Sequence, residues 1–337
     1  TFIIMRPHYR FNLIDELKVK SIMWSHNYES IIGSKYASGC KYLKRNLCVG
    51  KEQYYRLRDH KVFEKSAYIY NCLDFSPYKS RDIKKRNIVT FMGGLRVTKG
   101  FHILAKVWKE VVKEVPDAEL HVMGGSKLYD ENASTGNFGI ADEKYEKRFM
   151  PYLLDDNGKV MNSVKFLGVL NGEEKINAIN ETKVGIANPS GFGETFCISA
   201  IEFEAMKVPV VSCKKNGLLD TVEDGKSGIL VKNEKQLKDA IVTLLKDDKL
   251  NEDMGLYGEK FVREKFDIYN VCSKWKKLLE DVYNDIPQKE ELINNNFKYN
   301  LKWLREFNRK IKKAKIFNWL PPISEYEERI VPKFKKL

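Results

Sequence analysis

The stretch ANPSGFGETFCISAIEFEAMKVPVV, residues 187–211, sets Glu194 and Glu202 eight positions apart in an otherwise small or apolar run. Two glycines, Gly191 and Gly193, stand just before it becomes helix-forming. A helix start presents free N–H groups and the positive end of the dipole, which favour an anion such as phosphate. If the helix begins near Glu194, eight residues at about 1.5 Å each put Glu202 roughly 12 Å further along and about 80° round. That reach fits a diphosphate flanked by two polyol groups, a sugar near Glu194 and a ribose near Glu202. Carboxylates accept strongly from vicinal hydroxyls. Glu204 lies about 200° from Glu202 on a helix, so only one of that pair is expected to line a cleft. The plain alternative is three ordinary solvent-facing carboxylates.

Around this stretch, apolar runs alternate with helical periodicity. NIVTFMGG (87–94), AELHVMGG (118–125), VKFLG (164–168), KVGIANPS (183–190), VPVVSC (208–213) and GILV (228–231) read as buried strands. Residues 100–115 and 142–154 carry helical spacing between them, and helices over 234–246, 250–265 and 268–283 close the series. Upstream, SIMWSHN (21–27), NLCVGKEQ (46–53) and AYIYNCLDF (67–75) repeat a plan of apolar run and polar end. Strand, helix, strand implies a parallel α/β sheet with ligands at the carboxyl ends of its strands, where His26, Asn27, Lys51, Glu52, Asn71 and Asp74 fall. The basic stretch SPYKSRDIKKRN (76–87) reads as a linker.

At 337 residues, 43% hydrophobic and 12% aromatic, the chain suits two folded domains and excludes a disordered one. Its six cysteines form no C-x-x-C pair, which suits free thiols in a reducing compartment. No apolar run is long enough to span a bilayer, and no signal peptide precedes the first strand, so a soluble or peripheral protein is expected. The first residue is Thr1 and TFIIMRP already reads as a strand, so the first domain is expected to be incomplete. The net charge of +13 sits at the ends: residues 1–86 hold 18 Lys+Arg against 8 Asp+Glu, and residues 286–337 hold 13 against 6. A polyanionic partner or a solvated surface both account for this.

Taken together, Glu194-x7-Glu202 inside PS-x3-E-T-F, Pro209-Val210-Val211 seven residues on, and NGLLDTVEDGKSGILV (216–231), similar to GG-x-x-E-x-V-x-D-G-x-x-G-x-L-V, resemble the retaining glycosyltransferases of family 4. The likeness runs from about Phe2 to Tyr283. It implies the α/β GT-B fold, two facing Rossmann-like domains with parallel sheets: a partial acceptor-side domain at 1–80, a linker at 81–87, a nucleotide-sugar domain at 88–284 and a basic helical extension at 285–337. It also implies that Glu202 holds the ribose hydroxyls and Glu194 those of the donor sugar, with N–H groups of Thr195, Phe196 and Cys197 meeting sugar and diphosphate. FMGGLRVTKG (91–100) is similar to the family's G-R-L-x-x-x-K-G. Gly93 and Lys99 match, Gly94 takes the arginine's place, and Arg96, two places on, is expected to substitute for it. The alternative is a site with one cation. His26 matches the family's histidine near the donor sugar, and IYNCLD (69–74) resembles its I-x-N-G-x-D with Cys72 in the glycine place. The Gly-rich first loop, where the acceptor docks, has no counterpart here.

The implied activity is metal-independent hexosyl transfer with retention, from a nucleotide-diphosphate donor such as a UDP-sugar to a glycan or lipid-linked acceptor. No cofactor beyond the donor is implied. A non-catalytic nucleotide-sugar-binding subunit and a nucleotide-sugar 2-epimerase are the competing readings, and the paired glutamates disfavour the second. Nucleic acid is not expected as a partner, since the basic ends hold no reading motif. Residues 297–319, FKYNLKWLREFNRKIKKAKIFNW, place Phe297, Leu301, Leu304 and Ile311 near one helical face ringed by Lys and Arg. Two expectations stand together: attachment to an anionic membrane surface at its cytoplasmic face, and return of the apolar stripe onto the amino-terminal domain.

Overall fold

The computed structural model describes residues 2–4, 11–81, 85–125, 134–291, 297–314, 317 and 319–327. The chain forms two compact units, Thr1–Cys72 with Tyr269–Leu337, and Leu73–Ile268. In the first, strands β1 (Phe2–Ile4), β2 (Ser21–Ser25), β3 (Leu43–Cys48) and β4 (Ser66–Tyr68) pair in the order 1-2-3-4, all parallel. Helices α1 (Phe11–Glu16), α2 (Ile31–Gly39) and α3 (Lys51–Arg56) connect them.

In the second unit β5 (Ile88–Met92), β6 (Glu119–Met123), β7 (Val164–Gly168), β8 (Val184–Ile186), β9 (Val210–Cys213) and β10 (Gly228–Val231) form one parallel sheet in the order 10-9-8-5-6-7. Its helices are α4 (Phe101–Glu114), α5 (Glu143–Phe149), α6 (Gly172–Glu181), α7 (Ile198–Ala205), α8 (Leu218–Thr221), α9 (Glu234–Lys246) and α10 (Asp248–Phe266). The strands are apolar on both faces because helices cover both. On one side Val89, Phe91, Leu120, Val122 and Ile186 meet Leu104 and Trp108 of α4 and Leu237 and Ile241 of α9. On the other, α7 packs against α10. The order turns back between β5 and β8, and ligands of such sheets gather at that switch point.

Three expectations change. The run from Asn46 is the second half of β3, and Lys51 and Glu52 open α3 instead of ending a strand. Gly50 breaks the strand, and the Gln53 side chain accepts from Val49 N at 2.9 Å, folding the chain back into the helix. Of the run 67–75 only Ala67 and Tyr68 lie in a strand, β4. The stretch read as a linker is anchored where it is described, with Tyr78 buried and Lys85 Nζ donating to Lys207 O at 2.7 Å; residues 82–84 lie outside the described residues.

The unit boundaries also differ from the expected 1–80 and 88–284. Helix α11 (Ile268–Tyr283) belongs to the first unit, because Val271, Leu278 and Val282 close a core with Ile22, Leu47 and Ala67. Helix α12 (Lys302–Lys313) returns to the same unit. It docks through charge, not through its apolar stripe. Arg305, fully buried, donates to Arg56 O at 2.9 Å and Asn300 O at 3.0 Å, and pairs with Glu327 at 2.5 Å and Asp59 at 3.4 Å. Asn308 donates to the second oxygen of Asp59 at 3.0 Å. Phe297 lies before the helix and packs on Tyr55. Parts of the expected extension, residues 292–296 and 328–337, fall outside the described residues.

Candidate functional site

Loops at the carboxyl ends of β5, β8 and β9 bring the candidate residues of the second unit together. After β8 the chain passes through Asn188, Gly191 and Gly193, all with left-handed φ of 40°, 60° and 65°. Glycine adopts that conformation without steric cost, and asparagine tolerates it. This winding holds residues 191–197 out of a helix, so α7 begins at Ile198, with Cys197 at its cap. The expected helix from Glu194 is therefore four residues too early, and the 12 Å helical reach does not describe the pair. Glu194 sits in the loop, and Glu202 lies just over one turn into α7.

The loop is locked from below. Gly217, leading into α8, donates its N–H to Glu194 O at 2.8 Å, and a Cβ there would stand 2.2 Å from the Thr195 carbonyl. Only glycine lets the two backbones approach so closely.

All three glutamates are buried: Glu194 and Glu202 are 8% exposed and Glu204 is 0%. The solvent-facing alternative is excluded. Glu194 accepts from Lys99 Nζ at 2.7 Å and from Asn188 Nδ2 at 2.8 Å. Glu202 Oε1 accepts from the Tyr78 hydroxyl at 2.5 Å and from Lys175 Nζ at 2.6 Å. Both bonds fall on one oxygen; among the described residues Oε2 accepts none. Burial and then the neighbouring Glu202 charge push the Tyr78 hydroxyl far up, so it stays a proton donor.

Lys99 ends a short 3₁₀ turn, Val97–Lys99, that begins after Arg96. Gly100 follows with φ of 76° and presses against Ser190, where a Cβ would stand 2.6 Å from its backbone nitrogen. This contact seats the Lys99 turn beside the Glu194 loop. Arg96 itself is exposed at the start of that turn. Gly93 donates its N–H to Met123 O at 3.0 Å, and Gly94 beside it is buried.

Thr195, Phe196 and Cys197 are buried, and the Phe196 ring packs edge-on against Phe266. Their side chains thus face the core. Burial, helped by the Glu194 charge, pushes the Cys197 thiol up to about 12, so it is no nucleophile at neutral pH. His26, just beyond β2 in the first unit, lies against Trp24 with ring centroids 4.4 Å apart. Burial lowers its pKa below the usual value, keeping the imidazole neutral.

Sequence reasoning missed Tyr78, Lys175 and Asn188. The first stood in a supposed linker and the second in an ordinary polar helix, so neither carried a local signal. Asn188 did: an asparagine before Pro-Ser-Gly is a residue suited to a left-handed turn.

Glu204 points the opposite way from Glu202, as the helical angle requires, and is enclosed beside Ser227 and Gly258. Burial raises its carboxyl well above the usual range. With the folded pKa above the unfolded value near 4.3, this group costs nothing below that pH and destabilises progressively as pH rises past it. Glu204→Gln is expected to gain on wild type by about 1.4 kcal/mol per pH unit within that window. Urea unfolding at pH 4 and pH 7 checks this, and an equal difference at both would refute it.

Residues 75–261 match the family model described as glycosyl transferases group 1. The chain is similar to the capsular polysaccharide biosynthesis glycosyltransferase CapM of Staphylococcus aureus, 27% identical over 208 residues, covering 60% of this chain and 47% of CapM. It is also similar to the D-inositol 3-phosphate glycosyltransferase of Corynebacterium urealyticum, 27% identical over 206 residues, 60% of this chain and 44% of that protein. The matched region thus spans just under half the length of these relatives. Among solved structures, Anabaena HepE in complex with UDP-glucose superposes with a TM-score of 0.64 at 16% identity, covering 80% of this chain and 75% of HepE. Sucrose-phosphate synthase from Thermosynechococcus elongatus gives 0.64 at 18%, covering 79% and 68%. At such identities the likeness concerns the fold, which is GT-B.

Proposed function

We propose, from the premise that this chain belongs to the glycosyl transferases group 1 family, that it moves a hexosyl group from a UDP-sugar to a glycan or lipid-linked acceptor with retention of configuration and without a metal. The observation that carries this reading is the pair of buried carboxylates on either side of the α7 start, each joined to a lysine. A nucleotide sugar needs that alternation of hydroxyl acceptors and cations. Glu202 Oε2 accepts from the ribose hydroxyls, and Glu194 from those of the transferred sugar. Lys99, Arg96 and the N–H groups of Thr195, Phe196 and Cys197 meet the diphosphate, with the backbone of Gly93 and Gly94 close by. The donor base is proposed as uracil because HepE was solved with UDP-glucose.

In this reading the protein supplies mainly position and charge. As the sugar–phosphate bond breaks, negative charge grows on the departing diphosphate, where Lys99 and the α7 amides stabilise it. That phosphate takes the acceptor's proton on the same face, which yields retention. His26, kept neutral by burial, is proposed to hydrogen-bond the donor sugar. Family 4 membership and work at the cytoplasmic face of a membrane belong to the same proposal. The described residues include no helix long and apolar enough to cross a membrane.

Calorimetric titration with UDP tests the reading. Glu202→Ala is expected to weaken UDP binding by roughly ten- to a hundredfold, the loss of about 1.5–3 kcal/mol for a charged hydrogen bond. Glu202→Gln, which keeps a partner for Tyr78, separates this from misfolding. Unchanged UDP affinity in both variants would reject the site. Tight UDP binding with no turnover, when acceptor extract is supplied, would favour the non-catalytic subunit.

A further inference from the structure

The polarity of α12 is inverted with respect to the unit that holds it. A helix docked on a globular domain ordinarily buries its apolar stripe and leaves its charges in water. Here Arg305, Asn308 and Arg309 are buried. The opposite face, along Trp303, Phe307 and Lys310, is exposed, with Trp303 at 71% and Phe307 at 61%. Past the helix, Trp319 is 74% exposed and stacks edge-on with the exposed Phe317.

The charges are sorted in the same sense. The acids of this region pair with arginines on the helix or beneath it. Glu306 pairs with Arg58 at 2.6 Å, Glu290 with the same arginine at 2.9 Å, and Glu327 with Arg56 at 3.0 Å and Arg305 at 2.5 Å. Of the outward lysines, Lys310 pairs with no acid among the described residues, and Lys313 reaches Glu290 only at 4.0 Å. The outer surface therefore combines exposed indole and phenyl rings with Lys310, which pairs with no acid among the described residues, and Lys313, whose one ion pair there is long.

We propose that this face of α12, with Trp303, Phe307, Phe317 and Trp319 entering the interface and Lys310 and Lys313 over the headgroups, docks the protein on an anionic lipid bilayer. Tryptophan prefers the headgroup level, where its ring is desolvated and its N–H stays wet. A helix with one aromatic face edged by lysine lies in the plane of such an interface. Anionic lipid supplies a counter-charge for Lys310 and a nearer one for Lys313 than Glu290 at 4.0 Å. The arginine-rich inner face holds the helix rigidly, so docking needs no folding of the segment. The inference deepens the reading of a lipid-linked acceptor, and it can fail independently of the donor site.

The test uses the full chain and vesicles of phosphatidylcholine alone or mixed with phosphatidylglycerol. Wild type is expected to sediment with the mixed vesicles and not with phosphatidylcholine. The double variant Trp303→Ser with Phe307→Ser should bind the mixed vesicles at least tenfold less, as should Lys310→Gln with Lys313→Gln. Trp303→Phe should stay within threefold. Thermal stabilisation by UDP is measured for every variant. Retained UDP binding with vesicle binding equal in wild type and the serine variant overturns the docking face alone. Vesicle binding without any response to UDP upholds the face and overturns the donor site. Absence of wild-type binding to either vesicle, or a wild-type dimer that the serine substitutions make monomeric, overturns the lipid assignment.

Discussion

Replacing Lys99 by alanine is expected to lower the rate of sugar transfer by roughly a hundredfold to a thousandfold, the usual effect of removing one preorganised group that stabilises charge in a transition state. The ammonium lies 2.7 Å from Glu194 on a turn fixed by the Gly100–Ser190 contact. In the ligand-free protein it neutralises that carboxylate. In the proposed donor complex the same cation meets the diphosphate. The loss should fall on kcat more than on KM, because the charge it meets grows as the bond breaks. The assay is release of sugar from whichever UDP-sugar stabilises the protein most. Since Asn188 still donates to Glu194 at 2.8 Å, the variant should fold. A kcat within threefold of wild type would remove Lys99 from the chemistry and leave Arg96 as the cation to examine.

The largest effect on stability is expected at Arg305, far from that chemistry in sequence and role. Both Arg305 and Asp59 are fully buried at the side chain. Removing one member of a buried pair typically costs about 3–5 kcal/mol, because the other charge is left without compensation. Arg305→Ala should therefore lower the urea midpoint by that amount of stability, with α12 released from the unit it closes. Asp59 would keep Asn308 and the Ile323 N–H at 2.6 Å, so the figure belongs at the lower end of the range. A change under 1 kcal/mol would show that the pair contributes little. The result also explains why surface substitutions, and not truncation, are the fair probe of the aromatic face of α12.

Much of this organisation is legible in the residues because local and global preferences agree. Helix α9 spans 234–246 as its apolar period predicts, and Asn233 and Asp247, which cap α9 and α10, mark their starts. The strands of the second unit are apolar runs between turn residues, and they fold as such. What escaped was set by distant partners. The start of α7 depends on Gly217 bracing the Glu194 carbonyl from another loop. Tyr78 and Lys175 reach Glu202 from positions 124 and 27 residues away in the chain, and no window of sequence joins them. The inverted face of α12 escaped for a related reason: periodicity reveals two unlike faces, but which one is covered depends on the unit below. Arg56, Asp59 and Glu327 turn the charged side inward.

Leu73 forms a parallel bridge with Asp267, and its N–H donates to Phe266 O at 3.0 Å. The two ends of the segment Leu73–Ile268 are thus stapled side by side. Such a segment is topologically an insert, a cassette spliced into a host at a single point. Evolution can exchange a module of that kind by recombination without rethreading its host, so the sequences of the two units can change independently.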